Sequence, residues 1–231
     1  MRKTYLNIDT IPAIVWGEPS DKVYLFVHGK FSDKESAQGF AEIATDKGYQ
    51  VLSFDLPEHG DRKGGPDRCD VWDGVRDLKT VAQYARQSWP NLYLYGCSLG
   101  AYFSLLAYPD LPLVKCLFQS PVLDMEHLVH NMFLWFGVTA EQLEEKKEIP
   151  TPIDTLRWAY YVFVKEHPIV RWAAPTDILF GSEDNLQSLA VMESFAQRFH
   201  ADLTVSQGSN HPFDGDGDAQ VVLRWLQQHI G

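Results

Sequence analysis

The sequence predicts an α/β protein with a mostly parallel, twisted sheet and helices on both faces. Short apolar runs alternate with amphipathic helical patterns along most of the 231 residues, which is typical of such a sheet. The hydrophobic share of 45% and the charged share of 22% are those of an ordinary globular protein. Because this length fits one core, we expect a single domain over residues 1–231.

The elements of this sheet can be assigned in chain order. Two segments near the N-terminus, KTYLNID and AIVW, are expected to form an antiparallel pair. The strands that follow are apolar runs at 23–29, 50–57, 91–96, 113–121, 176–181 and 201–208. Helical patterns separate them, near 35–47, near 73–88, after Ser98, before Phe199 and over the final AQVVLRWLQQHI.

Residues 122 to about 174 interrupt this alternation. The segment is rich in Trp, Phe and Tyr and contains Pro150, Pro152 and Pro168. It is therefore interpreted as an insertion between two core strands. Its run LRWAYYVFV (156–164) is rich in strand-forming residues, which favours an edge strand of the core as an alternative.

Charge and hydropathy exclude several functions. A formal net charge of −11 without a basic cluster argues against nucleic acid as a partner. The N-terminus has no apolar stretch typical of a secretory signal, and MFLWFGV (132–138) is far shorter than the ~20 residues that span a bilayer. Cys69, Cys97 and Cys116 are odd in number and widely spaced, which predicts free thiols and a cytoplasmic location without stable membrane association.

The sequence GCSLG (96–100) places two nucleophilic side chains side by side. It matches G-x-S-x-G, the pattern of a tight strand-to-helix turn that lifts its central serine above the sheet. An apolar strand precedes it and a helical pattern follows, so Ser98 is the predicted nucleophile. Cys97 occupies the x position, and its side chain is expected to point away from the cleft.

A serine nucleophile needs a base and a group that holds the base. This turn predicts the chain order Ser, acid, His. Asp184 and His211 come just after the strands at 176–181 and 201–208, where parallel sheets build their sites. The alternatives for the acid are Glu183 and Asp124, although Asp124 also suits the N-cap of a helix.

The succession VHGKF, DLPEHGDRKG, GCSLG, GSEDN and GSNHPF resembles the α/β-hydrolase superfamily, in its small bacterial esterase and serine-aminopeptidase-like branch. The resemblance implies a triad of Ser98, Asp184 and His211, with the backbone amides of Lys30 and Leu99 as the oxyanion hole. It also implies that the insertion at about 122–174 is a lid, and that no metal or organic cofactor is required. The expected activity is hydrolysis of a carboxylic ester. The alternatives are thioester, amide or peptide cleavage, a lipase-like enzyme that works at membrane surfaces through MFLWFGV, and a catalytically idle ligand-binding protein.

The substrate is expected to be a small-molecule ester or a related acyl compound. The residues expected to line its pocket are His28, His59, Phe133, Trp135 and Trp158. The side chain of Lys30 is either solvated or positioned to meet a substrate carboxylate or phosphate. DGDGDA (214–219) lacks the glycine and glutamate that a calcium loop needs, so no metal site is predicted there.

Overall fold

The computed structural model describes all residues from 1 to 231, and its centre is an eight-stranded sheet. The strands of the chain are β1 Lys3–Ile8, β2 Ile11–Trp16, β3 Lys22–Val27, β4 Gln50–Phe54, β5 Asn91–Cys97, β6 Leu113–Gln119, β7 Glu148–Pro150, β8 Thr155–Arg157, β9 Thr176–Gly181 and β10 Asp202–Ser206. The order in the eight-stranded sheet is β1-β2-β4-β3-β5-β6-β9-β10, with β1 and β2 antiparallel to their neighbours and the other strands parallel. A separate antiparallel ribbon joins β7 and β8.

Eight α-helices surround the sheet: α1 Gln38–Asp46, α2 Val71–Ser88, α3 Leu99–Ala107, α4 Met125–Phe136, α5 Ala140–Lys146, α6 Trp158–Glu166, α7 Leu189–Phe199 and α8 Asp218–His229. The sheet divides the buried apolar side chains into two clusters, one on each face. One cluster contains residues of α2, α3, α4, α6 and α7, and the other contains residues of α1 and α8. The central strands contribute to both clusters because successive side chains of a strand point to opposite faces of the sheet.

The predicted fold class is confirmed, and the strands and helices expected for the core lie close to their predicted positions. The edge strand suggested for 156–164 is wrong, because Trp158–Glu166 is helix α6. Tyr161 and Val164 are spaced by three residues and are both buried, so helical packing overrides the local strand preference of these residues. No helix of the chain is long and apolar enough to cross a membrane.

Candidate active site

Ser98 lies in the turn between β5 and α3 with φ +49° and ψ −116°, a backbone conformation that non-glycine residues rarely adopt. The neighbouring glycines make this turn possible. A Cβ added to Gly100 would lie 2.4 Å from the carbonyl oxygen of Val27, and one added to Gly96 would lie 3.0 Å from the Cα of Ala101. The spacing of GCSLG therefore follows from close backbone contacts on both sides of Ser98.

The Oγ of Ser98 lies 2.8 Å from the Nε2 of His211. His211 follows β10 in the loop that leads to α8. Its backbone carbonyl accepts a hydrogen bond of 2.7 Å from the hydroxyl of Ser120, the residue just after β6. Ser120 has φ +45°, so a strained residue at the end of β6 holds the loop of the histidine.

Asp184 contacts the other nitrogen of the same ring. Its Oδ2 lies 2.6 Å from the Nδ1 of His211, and its side chain is 0% exposed. The Oδ1 atom accepts hydrogen bonds of 2.8 Å from the Leu186 amide and 3.2 Å from the Gln187 amide. With both oxygens engaged, the carboxylate is fixed with one edge facing the imidazole.

The two rival acids lie elsewhere. Asp124 accepts a hydrogen bond from the amide of His127 and caps the N-terminus of α4. Glu183 is exposed to solvent. Of the three candidate acids, the structure brings only Asp184 into hydrogen-bonding contact with His211.

The amides expected to stabilise an oxyanion belong to the two loops next to Ser98. Leu99 is the first residue of α3, where an amide has no acceptor within the helix. Lys30 follows β3, and its amide donates no hydrogen bond within the protein. The loop that carries it approaches the nucleophile closely, because a Cβ added to Gly29 would lie 3.3 Å from the Cβ of Ser98.

Two histidines fix the loop of Lys30 from both sides. The Nε2 of His28 accepts a hydrogen bond of 3.1 Å from the Leu56 amide, and its Nδ1 lies 2.7 Å from the Gly29 carbonyl. The Nε2 of His59 accepts one of 3.0 Å from the Phe31 amide, and its Nδ1 lies 2.7 Å from the Pro57 carbonyl. Each pattern requires a neutral ring with its proton on Nδ1.

Burial favours the same neutral form of both rings. It lowers the pKa of His28 to about 4, and it lowers the pKa of His59 from its ordinary value. Desolvation disfavours the charged imidazolium in both cases. The two histidines are therefore suited to hold backbone geometry and unsuited to serve as proton carriers at neutral pH.

A cavity of about 980 Å³ opens over Ser98 and His211. Of the side chains expected to line it, His28 and Trp135 do so. His59, Phe133 and Trp158 are not among the residues that line it. His59 is buried in its loop contacts. The rings of Phe133 and Trp158 both pack on Tyr161, at centroid distances of 5.2 Å and 5.7 Å.

The side chain of Lys30 is not free in solvent. It forms an ion pair with Asp154, which lies between β7 and β8, and both residues line the cavity. The side chains are 24% and 38% exposed. The pair therefore joins the loop beside Ser98 to the segment inserted between β6 and β9. Sequence analysis did not identify Asp154, since only the tertiary fold brings it to Lys30.

Cys97 packs against the apolar cluster that contains residues of α1 and α8, and it is also among the residues that line the cavity. Its sulfur lies 3.5 Å from a Cβ built on Gly29. Burial raises the pKa of its thiol to about 12, so the thiol stays protonated at neutral pH and is a poor nucleophile. Of the two adjacent candidates, only Ser98 contacts a base.

No group of three or more His, Cys, Asp or Glu side chains is arranged to hold a metal ion. Two acidic side chains of the DGDGDA segment, those of Asp218 and Asp214, make local hydrogen bonds. Asp218 accepts a hydrogen bond of 2.5 Å from the hydroxyl of Ser209, and Asp214 accepts one of 2.7 Å from the side-chain amide of Asn210.

The sheet order, the turn at Ser98 and the loops after β9 and β10 define an α/β hydrolase. The family model described as "Serine aminopeptidase, S33" matches residues 18–155. The chain belongs to this family of α/β hydrolases. None of the curated proteins compared with the sequence matches it.

Solved structures agree with this fold across the whole chain. Est1E from Butyrivibrio proteoclasticus, solved with bound ferulic acid, superposes with a TM-score of 0.79 at 16% identity, covering 97% of this chain and 96% of that one. Mouse alpha/beta hydrolase domain-containing protein 10 gives 0.75 at 17% identity, covering 100% and 98%. The Pyrococcus furiosus esterase Pf2001 gives 0.66 at 20% identity, covering 100% and 93%. At such identities the likeness shows the fold alone.

Proposed function

We propose that this protein is a serine hydrolase that cleaves a carboxylic ester through an acyl-serine intermediate. The observation that carries the proposal is the continuous contact from Ser98 to His211 to Asp184, with distances of 2.8 Å and 2.6 Å. Membership of a hydrolase family supports the same reaction class. Ligand binding alone makes no demand for this chain of contacts.

Acylation follows from the geometry. The Nε2 of His211 takes the proton of Ser98 as the hydroxyl oxygen attacks the ester carbonyl. Negative charge then develops on the carbonyl oxygen, and the free amides of Lys30 and Leu99 stabilise it. Asp184 holds the Nδ1 proton of His211 and stabilises the imidazolium that forms. The imidazolium protonates the leaving alcohol, and the acyl group stays on Ser98.

Deacylation uses the same groups. His211 removes a proton from a water molecule that attacks the acyl-serine, and the two amides again stabilise the oxyanion. The proton returns from His211 to Ser98 as the acid leaves. The residues of this chain thereby account for both half-reactions.

The cavity favours an apolar ester over a peptide with a free N-terminus. The cavity wall is mostly hydrophobic, and its carboxylates are those of Asp70 and Asp154. Asp70 caps α2 by accepting from the amides of Trp72 and Asp73, and Asp154 is paired with Lys30. Neither carboxylate is available to anchor the ammonium group of an aminopeptidase substrate.

Hydrolysis of p-nitrophenyl esters by the wild type, Ser98→Ala and Cys97→Ala proteins tests this proposal. Esters of aromatic and aliphatic acids belong in the series, since a protein of the same fold binds ferulic acid. Loss of about 10⁴-fold or more in kcat is expected for Ser98→Ala. Cys97→Ala is the matched neighbour and should retain activity. Equal rates of wild type and Ser98→Ala would contradict the proposal.

A further inference from the structure

The residues that line the cavity over Ser98 come from two parts of the fold, and we call the space beside each part an arm of the cavity. The lid arm is lined by residues of the inserted segment, among them Met125, Met132, Trp135 and Tyr160. The other arm, which we call the helix groove, runs between α1 and α8 and is lined by Gly39, Phe40, Ile43, Val222, Leu223 and Leu226. The proposed reaction needs room on both sides of an ester bond, and the two arms supply it.

The helix groove is an apolar surface formed by one face of each helix. Residues three and four positions apart lie on the same side of a helix. Gly39 and Ile43 on α1 have this spacing, as do Val222 and Leu226 on α8. Phe26 and Tyr95, stacked at a ring distance of 4.6 Å, also line the cavity from the sheet. Of the α1 and α8 residues that line the cavity, Gln220 alone offers a polar side chain.

Gly39 of α1 lines the groove and is exposed. A Cβ added to Gly39 would meet no atom within 4 Å, and Gly39 has an ordinary helical backbone. Glycine weakens a helix relative to alanine. At position 39, neither a positive φ nor a crowded neighbour requires glycine. Both α1 and α8 begin at the sheet edge that carries Ser98 and His211, so the opening adjoins the nucleophile.

The position of His211 indicates which half of the ester enters this arm. The leaving oxygen must lie against Nε2, because the imidazolium protonates it. From His211 the chain continues directly through Pro212 and Phe213, which both line the cavity. Phe213 is buried in the same apolar cluster as Phe40 and Leu226. The helix groove therefore lies on the leaving-group side of the site.

We propose that the helix groove binds the alcohol half of the substrate, and that this half is an apolar, unbranched alcohol of several carbons. This inference rests on the proposed ester hydrolysis at Ser98. Burial of each methylene in an apolar groove is worth about four-fold in binding. Rates of acylation should therefore rise by about that factor per methylene until the groove is filled.

The test compares acetate esters of ethanol, butanol and hexanol in the wild type, Gly39→Trp and Gly39→Ala proteins. Tryptophan would fill the groove, and alanine keeps it open while improving the helix. For wild type and Gly39→Ala, kcat/KM should increase with alcohol length. For Gly39→Trp, the hexyl-to-ethyl ratio should fall by at least about ten-fold, given four-fold per methylene. The dependence on acyl length, measured with ethyl esters of longer acids, should stay unchanged.

Two kinetic results would overturn the inference. One is an unchanged alcohol-length profile in Gly39→Trp, and the other is a change confined to the acyl-length profile. Thermal stabilisation by hexan-1-ol gives a readout that does not depend on hydrolysis. It should occur with wild type and Ser98→Ala and be lost in Gly39→Trp. If the wild type hydrolyses no ester, the proposed function fails. Stabilisation that Gly39→Trp abolishes would then still support the groove as an alcohol site, and its absence from wild type would contradict that site.

Discussion

The reactivity proposed for Ser98 depends on how a single buried carboxylate is held. Asp184 accepts two backbone amides through one oxygen and contacts His211 through the other. This arrangement keeps the proton of the imidazole on Nδ1 and leaves Nε2 free to accept from Ser98. The tautomer of the base is therefore set by the loop that follows β9.

Replacement of Asp184 by asparagine should lower kcat for ester hydrolysis by about 10⁴-fold. The asparagine amide would donate toward Nδ1 and favour the tautomer whose proton lies on Nε2. That tautomer cannot accept the proton of Ser98. Steady-state kinetics on a p-nitrophenyl ester measure the effect, with circular dichroism to establish that the variant is folded.

Glu183→Gln provides the matched control for that substitution. Glu183 is exposed and adjoins Asp184 in the same loop, so this variant should keep kcat within about two-fold, as expected for a surface change. A large loss in Glu183→Gln with little loss in Asp184→Asn would reverse the assignment of the acid.

At the scale of elements, the contact between the β3 loop and the inserted ribbon places a pair of opposite charges at the cavity wall. Lys30 and Asp154 form an ion pair there. Both side chains are partly exposed, and such pairs contribute at most about 1 kcal/mol to stability. The consequence of the pair is therefore expected in substrate selectivity more than in folding.

Asp154→Asn should leave a cationic Lys30 without its partner at the cavity wall. We expect kcat/KM for an ester that carries a free carboxylate to rise several-fold relative to its neutral analogue, since unlike charges attract in a partly desolvated site. The rise should diminish at high salt. The measurement is the ratio of kcat/KM values for a monoester of a dicarboxylic acid and a neutral ester of equal length.

The double variant Lys30→Met, Asp154→Asn controls for loss of the carboxylate alone and should return the ratio to that of the wild type. An unchanged ratio in Asp154→Asn itself would show that the ammonium group of Lys30 does not reach the bound substrate.

The sequence allowed the core elements to be predicted because each has its own local pattern. Strands such as β3 and β5 are nearly continuous apolar runs, and GCSLG carries its constraint within five residues. Helix α6 was harder to predict, since aromatic residues favour strands in isolation and its burial depends on Phe133 and Trp72 from distant segments.

Residues of the site could likewise be predicted only where a local sequence pattern places them. Ser98, Asp184 and His211 follow strands directly, so their common edge could be predicted from topology. The place of Asp154 and the loop contacts of His59 could not be predicted, because they depend on the way in which the long connecting segments fold over the sheet.

For the whole molecule, burial of uncharged histidine makes stability depend on pH. The pKa of His28 is lowered from 6.5 to about 4 in the folded protein. Because the unfolded chain binds this proton more readily, stability is complete above about pH 6.5 and is lost as the pH falls toward 4. Burial of His59 acts in the same direction.

Between about pH 7.5 and pH 4.5, His28 alone should account for a loss of about 2 to 3 kcal/mol in the free energy of unfolding. Urea denaturation at the two pH values measures it. His28→Gln removes the titrating group while keeping one donor and one acceptor, so its loss should be smaller by that amount. Identical losses in the two proteins would show that His28 does not carry the effect.

The central claim is that Ser98 is an activated nucleophile. Labelling with a fluorophosphonate, followed by mass mapping of the modified peptide, tests it most directly. We predict a single adduct on Ser98, its absence in Ser98→Ala, and labelling at least about 10³-fold slower in His211→Ala, because the base is required to activate the serine. A folded wild-type protein that stays unlabelled, or an adduct on Cys97, would contradict the account.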